Sequence, residues 1–138
     1  MRNVQLLPPH QYYYDQDGEL LVGEYSADTL RAQKLAAVAE WRLAQQSVTL
    51  TVDGNEFDFS QNSYNTALGY LMTNSLPETW TDAHNNDVPV TLEFMQSLVA
   101  AMSQHISQTH SKQRTMKNEL NNMTSAADIA AYEVPACL

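Results

Sequence analysis

From residue 92 onward, apolar side chains recur at alternating steps of three and four. The series runs Leu92, Met95, Val99, Met102, Ile106, Thr109, Gln113, Met116, Leu120 and Met123, and eight of its ten members are apolar. Neither Pro nor Gly interrupts the run. Such spacing keeps one line of side chains on one side of a helix, so it predicts a helix over residues 92–123. At ~1.5 Å per residue that helix would be ~48 Å long, more than a compact domain of this size needs. Thr91 offers an N-cap oxygen, and Pro89 disfavours helical backbone at Val88. Thr109 and Gln113 are polar members of the line; in a seam they cost stability but can fix register or oligomer number. The spacing is open to a self-associating coiled coil, to packing inside a monomer and to packing against a different chain. Met95, Met102, Met116 and Met123, with Met72 upstream, make the contact surface an adaptable one.

A period of two appears earlier. Val48, Thr49, Leu50, Thr51 and Val52 alternate, Asp53 and Gly54 form a type I′ turn signal, and Asn55, Glu56, Phe57, Asp58 and Phe59 alternate back. With a two-residue loop Leu50 faces Phe57 and Val48 faces Phe59, giving the hairpin one greasy side that must cover a helix. Helical spacing brackets this hairpin. Ser26 or Asp28 caps a helix reaching about residue 46, with Leu30, Leu35, Val38, Trp41 and Leu43 as its apolar positions. Ser60 caps another from 61 to 73, with Tyr64, Ala67, Leu68, Leu71 and Met72 inward. Residues 74–87 read as a polar loop carrying Trp80, and Val88, Pro89 and Val90 as a short edge strand. A short helix over 126–132 closes the chain.

Residues 1–25 have another character. Pro8 and Pro9 fix an extended stretch, and two strand-like segments flank the turn-rich residues 15–18. Tyr12, Tyr13 and Tyr14 put aromatic surface on both faces of a strand, which a lone hairpin cannot bury. The stretch reads as a small hairpin or an extended arm lying against its own domain or a partner. The sum is an α+β chain, mainly α: an N-terminal arm over 1–25, then a helical domain over 26–138 with a β-hairpin packed on helices and one long C-terminal helix of coiled-coil spacing.

Charge narrows the function classes. Lys plus Arg is 7 against 16 Asp plus Glu, a formal net charge of −9, which argues against nucleic-acid binding because phosphate contacts need clustered basic residues. Lys112, Arg114 and Lys117 cluster in the C-terminal half of the long helix, where they complement its dipole. No apolar run approaches the ~20 residues of a membrane span, and the N-terminus does not resemble a signal peptide. The lone Cys137 excludes an intramolecular disulfide and suits a reducing cytoplasm.

Catalytic and metal-binding patterns do not emerge. His105 and His110 stand five apart, about 140° around a helix, so they cannot share a metal as an i, i+4 pair can; they read as helix-surface or interface histidines. Asp53, Asn55 and Asp58 lack the order, central Gly and closing Glu of a calcium loop. Asp82 and Asp87 flank His84 without a nucleophile. No cofactor is expected, and the chain does not read as an enzyme.

The order of landmarks carries a resemblance. Trp41 and Arg42 on a helix precede the Asp-Gly hairpin, followed by Ser60 and Gln61 into the next helix. After them come Trp80, Thr81, Asp82 and Asn86, then Val88, Pro89, Val90 and Thr91. The long helix with His105 and His110 and the short helix with Ala126, Ala127, Asp128 and Ile129 complete the order. It resembles DUF4376, a domain family of tail and tail-fibre-associated proteins of tailed bacteriophages. Tyr13, Tyr14, Asp15, Asp17, Gly18 and Gly23 similarly resemble the opening of short phage tail-fibre assembly proteins. The resemblance implies a phage tail context and no residue-level site. The expectation is a structural component of the virion tail, made in the bacterial host cytoplasm: an adaptor that contacts fibre or baseplate proteins and self-associates. The alternative is a fibre assembly chaperone that leaves. Tyr12, Tyr13, Tyr14, Val99, Met102, Ile106, Thr109, Gln113, Met116 and Leu120 are the expected interface residues.

Overall fold

The computed structural model describes residues 26–135 in full and the backbone of residues 10–14 and 20–24. Strands β1 (His10–Tyr14) and β2 (Leu20–Glu24) pair antiparallel, with Tyr12 opposite Val22 and Tyr14 opposite Leu20. The turn at 15–18 and the side chains of Tyr12, Tyr13 and Tyr14 lie outside the described residues.

Helix α1 (Ala27–Ala44) starts at Ser26, whose Oγ accepts a hydrogen bond from the Thr29 amide at 3.1 Å. Leu30, Val38 and Trp41 are buried, as their spacing requires, whereas Leu43, expected inward, is exposed. A single 3₁₀ turn (Gln45–Ser47) ends the helix, and Val48 is extended. The hairpin follows as β3 (Thr49–Val52) and β4 (Asn55–Asp58), with Leu50 opposite Phe57. Positive φ at Asp53 (51°) and Gly54 (82°) makes the turn the two-residue type its dipeptide signals. The Phe59 amide donates to the Val48 carbonyl at 2.8 Å, extending the pairing one step outward.

Helix α2 (Gln61–Met72) carries a capping box, in which Ser60 and Ser63 satisfy each other's backbone amides. Ala67 is buried and Tyr64, Leu68 and Leu71 are half-buried, but Met72 is 77% exposed. It stands about 100° around the helix from Leu71, off the buried stripe. Part of the expected polar loop is instead a strand, β5 (Thr79–Thr81). It forms a second hairpin with β6 (Asp87–Pro89), the short edge strand expected at 88–90, with Trp80 opposite Val88. Asp82 organises the turn between them: one carboxylate oxygen accepts from the amides of His84 and Asn86, each at 2.9 Å. The Ala83 amide donates to the Glu56 carbonyl at 2.8 Å, tying this turn to β4. Helix α3 (Leu92–Asn122) begins at the Thr91 cap, bonded to the Phe94 amide at 3.0 Å, and α4 (Ala126–Ala131) begins at Ser125.

These elements gather into two compact units, each with its own core. One comprises Arg42–Lys112. Its core joins Val52, Phe57 and Phe59 of the first hairpin and its exit, Ala67 of α2, and Phe94, Met95, Leu98, Val99 and Met102 of α3. The rings of Phe57 and Phe94 meet at 5.4 Å and 54°. Two adjacent lines of α3 are buried here, a wider stripe than a coiled-coil seam, because the hairpin and α2 both lie against the helix. The other unit comprises, among the described residues, those up to Trp41 and those from 113 to 135. Its core joins Leu30, Val38 and Trp41 of α1, Met116 and Leu120 of α3, and Ile129 of α4.

Candidate functional site

The cleft that concentrates polar side chains lies within the Arg42–Lys112 unit. It has a volume of about 110 Å³ and is open to solvent on one side. Three stretches of chain build it. The end of α1 and the turn after it present Arg42, Gln45 and Gln46, which recur at helical spacing and so share a face. The exit of β4 supplies Phe59, and the first residue of α2 supplies Gln61. Helix α3 contributes His105, Ile106, Thr109 and His110, two adjacent residues and the pair four further along.

His105 holds the wall together. A carbonyl only accepts, so the 2.8 Å contact with the Gln45 carbonyl means that His105 Nε2 carries a hydrogen and donates it. That carbonyl lies just past the C-terminus of α1, where backbone acceptors lack helical partners. The His105 ring also stands edge-on to Phe59, with centroids 4.8 Å apart and planes at 69°. The chain between α1 and the hairpin is thereby pinned to α3 from a position 60 residues away in sequence. Phe59 is buried and Ile106 half-buried, so together they give the cleft an apolar floor. Arg42, Gln46, Gln61 and His110 are exposed at its rim.

Among the described residues the cleft lining contains no Asp or Glu. Arg42 has no carboxylate partner among the described residues, where the ion pairs are Arg31 with Asp28 at 2.7 Å and His84 with Glu56 at 3.5 Å. Among the described residues no group of three His, Cys, Asp or Glu side chains is placed to hold a metal ion. Asp82, His84 and Asp87, close in sequence, serve the β5–β6 turn instead: the Asp87 carboxylate accepts from the Thr81 hydroxyl at 3.0 Å.

The expected interface residues separate into groups. Val99 and Met102 are buried in the core of one unit, and Met116 and Leu120 in that of the other. Long as α3 is for a compact domain, Met116 and Leu120 near its far end are covered by α1 and α4. Ile106, Thr109 and Gln113 are half-buried, and the first two line the cleft. Tyr12, Tyr13 and Tyr14 fall outside the described side chains. Arg42, Gln45, Gln46, Phe59 and Gln61 were not singled out as a site by sequence, because nothing in their spacing announces that a 3₁₀ turn brings them beside α3. A family model described as a domain of unknown function (DUF4376) matches residues 29–134. No curated protein and no solved structure matches the chain.

Proposed function

From the premise that the chain belongs to the DUF4376 family, we propose that it is a structural component of a bacteriophage tail. In this reading it is a small adaptor that joins a fibre or baseplate protein to the rest of the tail through protein–protein contacts. The tail context comes from the resemblance of its landmarks to tail-associated proteins. The observation that carries the adaptor role is the middle of α3. Ile106 and Thr109 are half-buried, while Val99 and Met102 before them are covered by the core of the same unit. An apolar and polar strip left partly open on a long, well-anchored helix suits contact with another chain or a second copy. No helix among the described residues is long and apolar enough to cross a membrane.

Mass spectrometry of purified virions tests the placement. Recovery in fixed ratio to fibre or baseplate proteins is the expected result. Absence from virions whose fibres fail to assemble without the protein would replace the adaptor by an assembly chaperone, the role suggested by the Tyr13, Tyr14 and Asp15 opening. Absence with intact tails would remove both.

A further inference from the structure

The cleft on the Arg42–Lys112 unit has a chemistry of its own, and we infer that it binds an apolar group that ends in a carboxylate. Three observations converge. First, the floor of Phe59 and Ile106 is apolar, and the volume of about 110 Å³ suits an aromatic ring or branched side chain rather than water alone. Second, the rim carries the Arg42 guanidinium, the His110 imidazole and the Gln46 amide, all able to donate hydrogen bonds. Third, the described lining has no carboxylate side chain, in a chain that carries 16 Asp plus Glu against 7 Lys plus Arg. Arg42 is thus a guanidinium without a carboxylate partner among the described residues, beside an apolar floor. A planar fork of donors matches a carboxylate, and its hydrogen bonds are charge-assisted.

The wall is already built before any ligand arrives. The His105 Nε2–H bond to the Gln45 carbonyl and the edge-on Phe59 ring hold the 3₁₀ turn and α3 in place. Little ordering remains to oppose binding, which favours affinity in a small site. The chemistry is that of the last residue of a polypeptide with an apolar side chain, or of a free small acid. The first source rests on the adaptor reading; the cleft's preference for a carboxylate does not.

Nuclear magnetic resonance titration of the full chain with four probes decides it. The probes are benzoate, benzamide, acetyl-Ala-Ala-Phe as the free acid, and the same peptide as its C-terminal amide. The expected result is saturable shifts at His105, Ile106 and His110 with an acid and none with the matching amide. Response to the peptide acid assigns the end of a polypeptide, and response to benzoate alone assigns a free small acid. Arg42→Gln should weaken the acid by roughly tenfold, the size of one charge-assisted hydrogen bond, with the rest of the spectrum unchanged. Arg42 is exposed, so this variant keeps the fold. Equal response to acid and amide, no saturable shift at millimolar acid, or an Arg42→Gln variant that binds as well as the parent would each overturn the assignment. None of these outcomes depends on the protein being found in virions.

Discussion

At the scale of single residues, Arg31 does more than its ion pair. Its Nε donates to the Leu120 carbonyl at 3.1 Å and its Nη2 to the Met123 carbonyl at 2.6 Å. These are acceptors at the C-terminal end of α3, where helical partners run out and positive charge is favoured. The bond to Asp28 at 2.7 Å joins a carboxylate that is 95% exposed, so water screens it. Removing the fork by Arg31→Met should therefore cost about 2 kcal/mol in urea unfolding, whereas Asp28→Ala should cost under ~0.5 kcal/mol. Equal losses would show that the ion pair, not the clamp, matters. Tyr132 supplies a pH signature in the same unit. Burial raises the pKa of its phenol above the ordinary value of 10.0, and the charge of Glu119 and a hydrogen bond to it add to the rise. A raised pKa means that the folded state holds the proton more tightly. The contribution is complete below the unfolded value near 10 and is lost as pH rises through the folded one. Between pH values on either side of that window, the parent should lose more stability than Tyr132→Phe; parallel curves would dismiss the linkage.

At the scale of elements, two glycines of similar openness should respond with opposite sign. Gly54 sits at φ +82° in the β3–β4 turn, and Gly69 lies inside α2; a Cβ would meet nothing within 4 Å at either. Space is therefore not what separates them, and backbone conformation is. Gly54→Ala should destabilise by about 1 kcal/mol because an L side chain is strained at that φ. Gly69→Ala should stabilise by about 0.5–1 kcal/mol through helix propensity. Thermal unfolding of both variants checks the pair, and a stabilising Gly54→Ala would refute the turn geometry. That turn was legible in sequence because a two-residue loop with Asp and Gly permits few alternatives. Of the β5–β6 hairpin only β6 was legible, as a short edge strand; β5 is three residues long, and the pattern there offered Trp80 alone among polar neighbours. What fixes it is Asp82 bonding two amides of its own turn, which no periodicity reports. Phe94 and Leu98 were missed for a related reason. A 3–4 series follows one line along a helix, and only the hairpin and α2 lying against α3 decide that the neighbouring line is buried too.

At the scale of the whole molecule, the length and line of α3 were readable from residues 92–123, but the coverage of that line depends on tertiary partners. Met116 and Leu120 are enclosed by α1 and α4, elements far apart in sequence, so no local signal marks them as core. The cleft is similarly invisible, since it needs the end of α1, the exit of β4 and the middle of α3 to meet. This distribution sharpens the test of the helix as an interface. Met102 has no exposed surface, so Met102→Asp would bury an unpaired charge and should unfold its unit. Ile106 is half-buried and packs at the edge of the same core. Its replacement by Asp leaves the carboxylate able to reach water, so the fold should persist with a loss of about 1–2 kcal/mol. If the strip of Ile106 and Thr109 meets another chain, a charge there is desolvated on association and unpaired. Ile106→Asp should then sediment as a monomer while keeping the circular dichroism of the parent. A folded variant that associates as the parent does would move the contact off α3. Unfolding by Ile106→Asp as severe as that by Met102→Asp would return the strip to the core and leave the adaptor without the surface proposed for it.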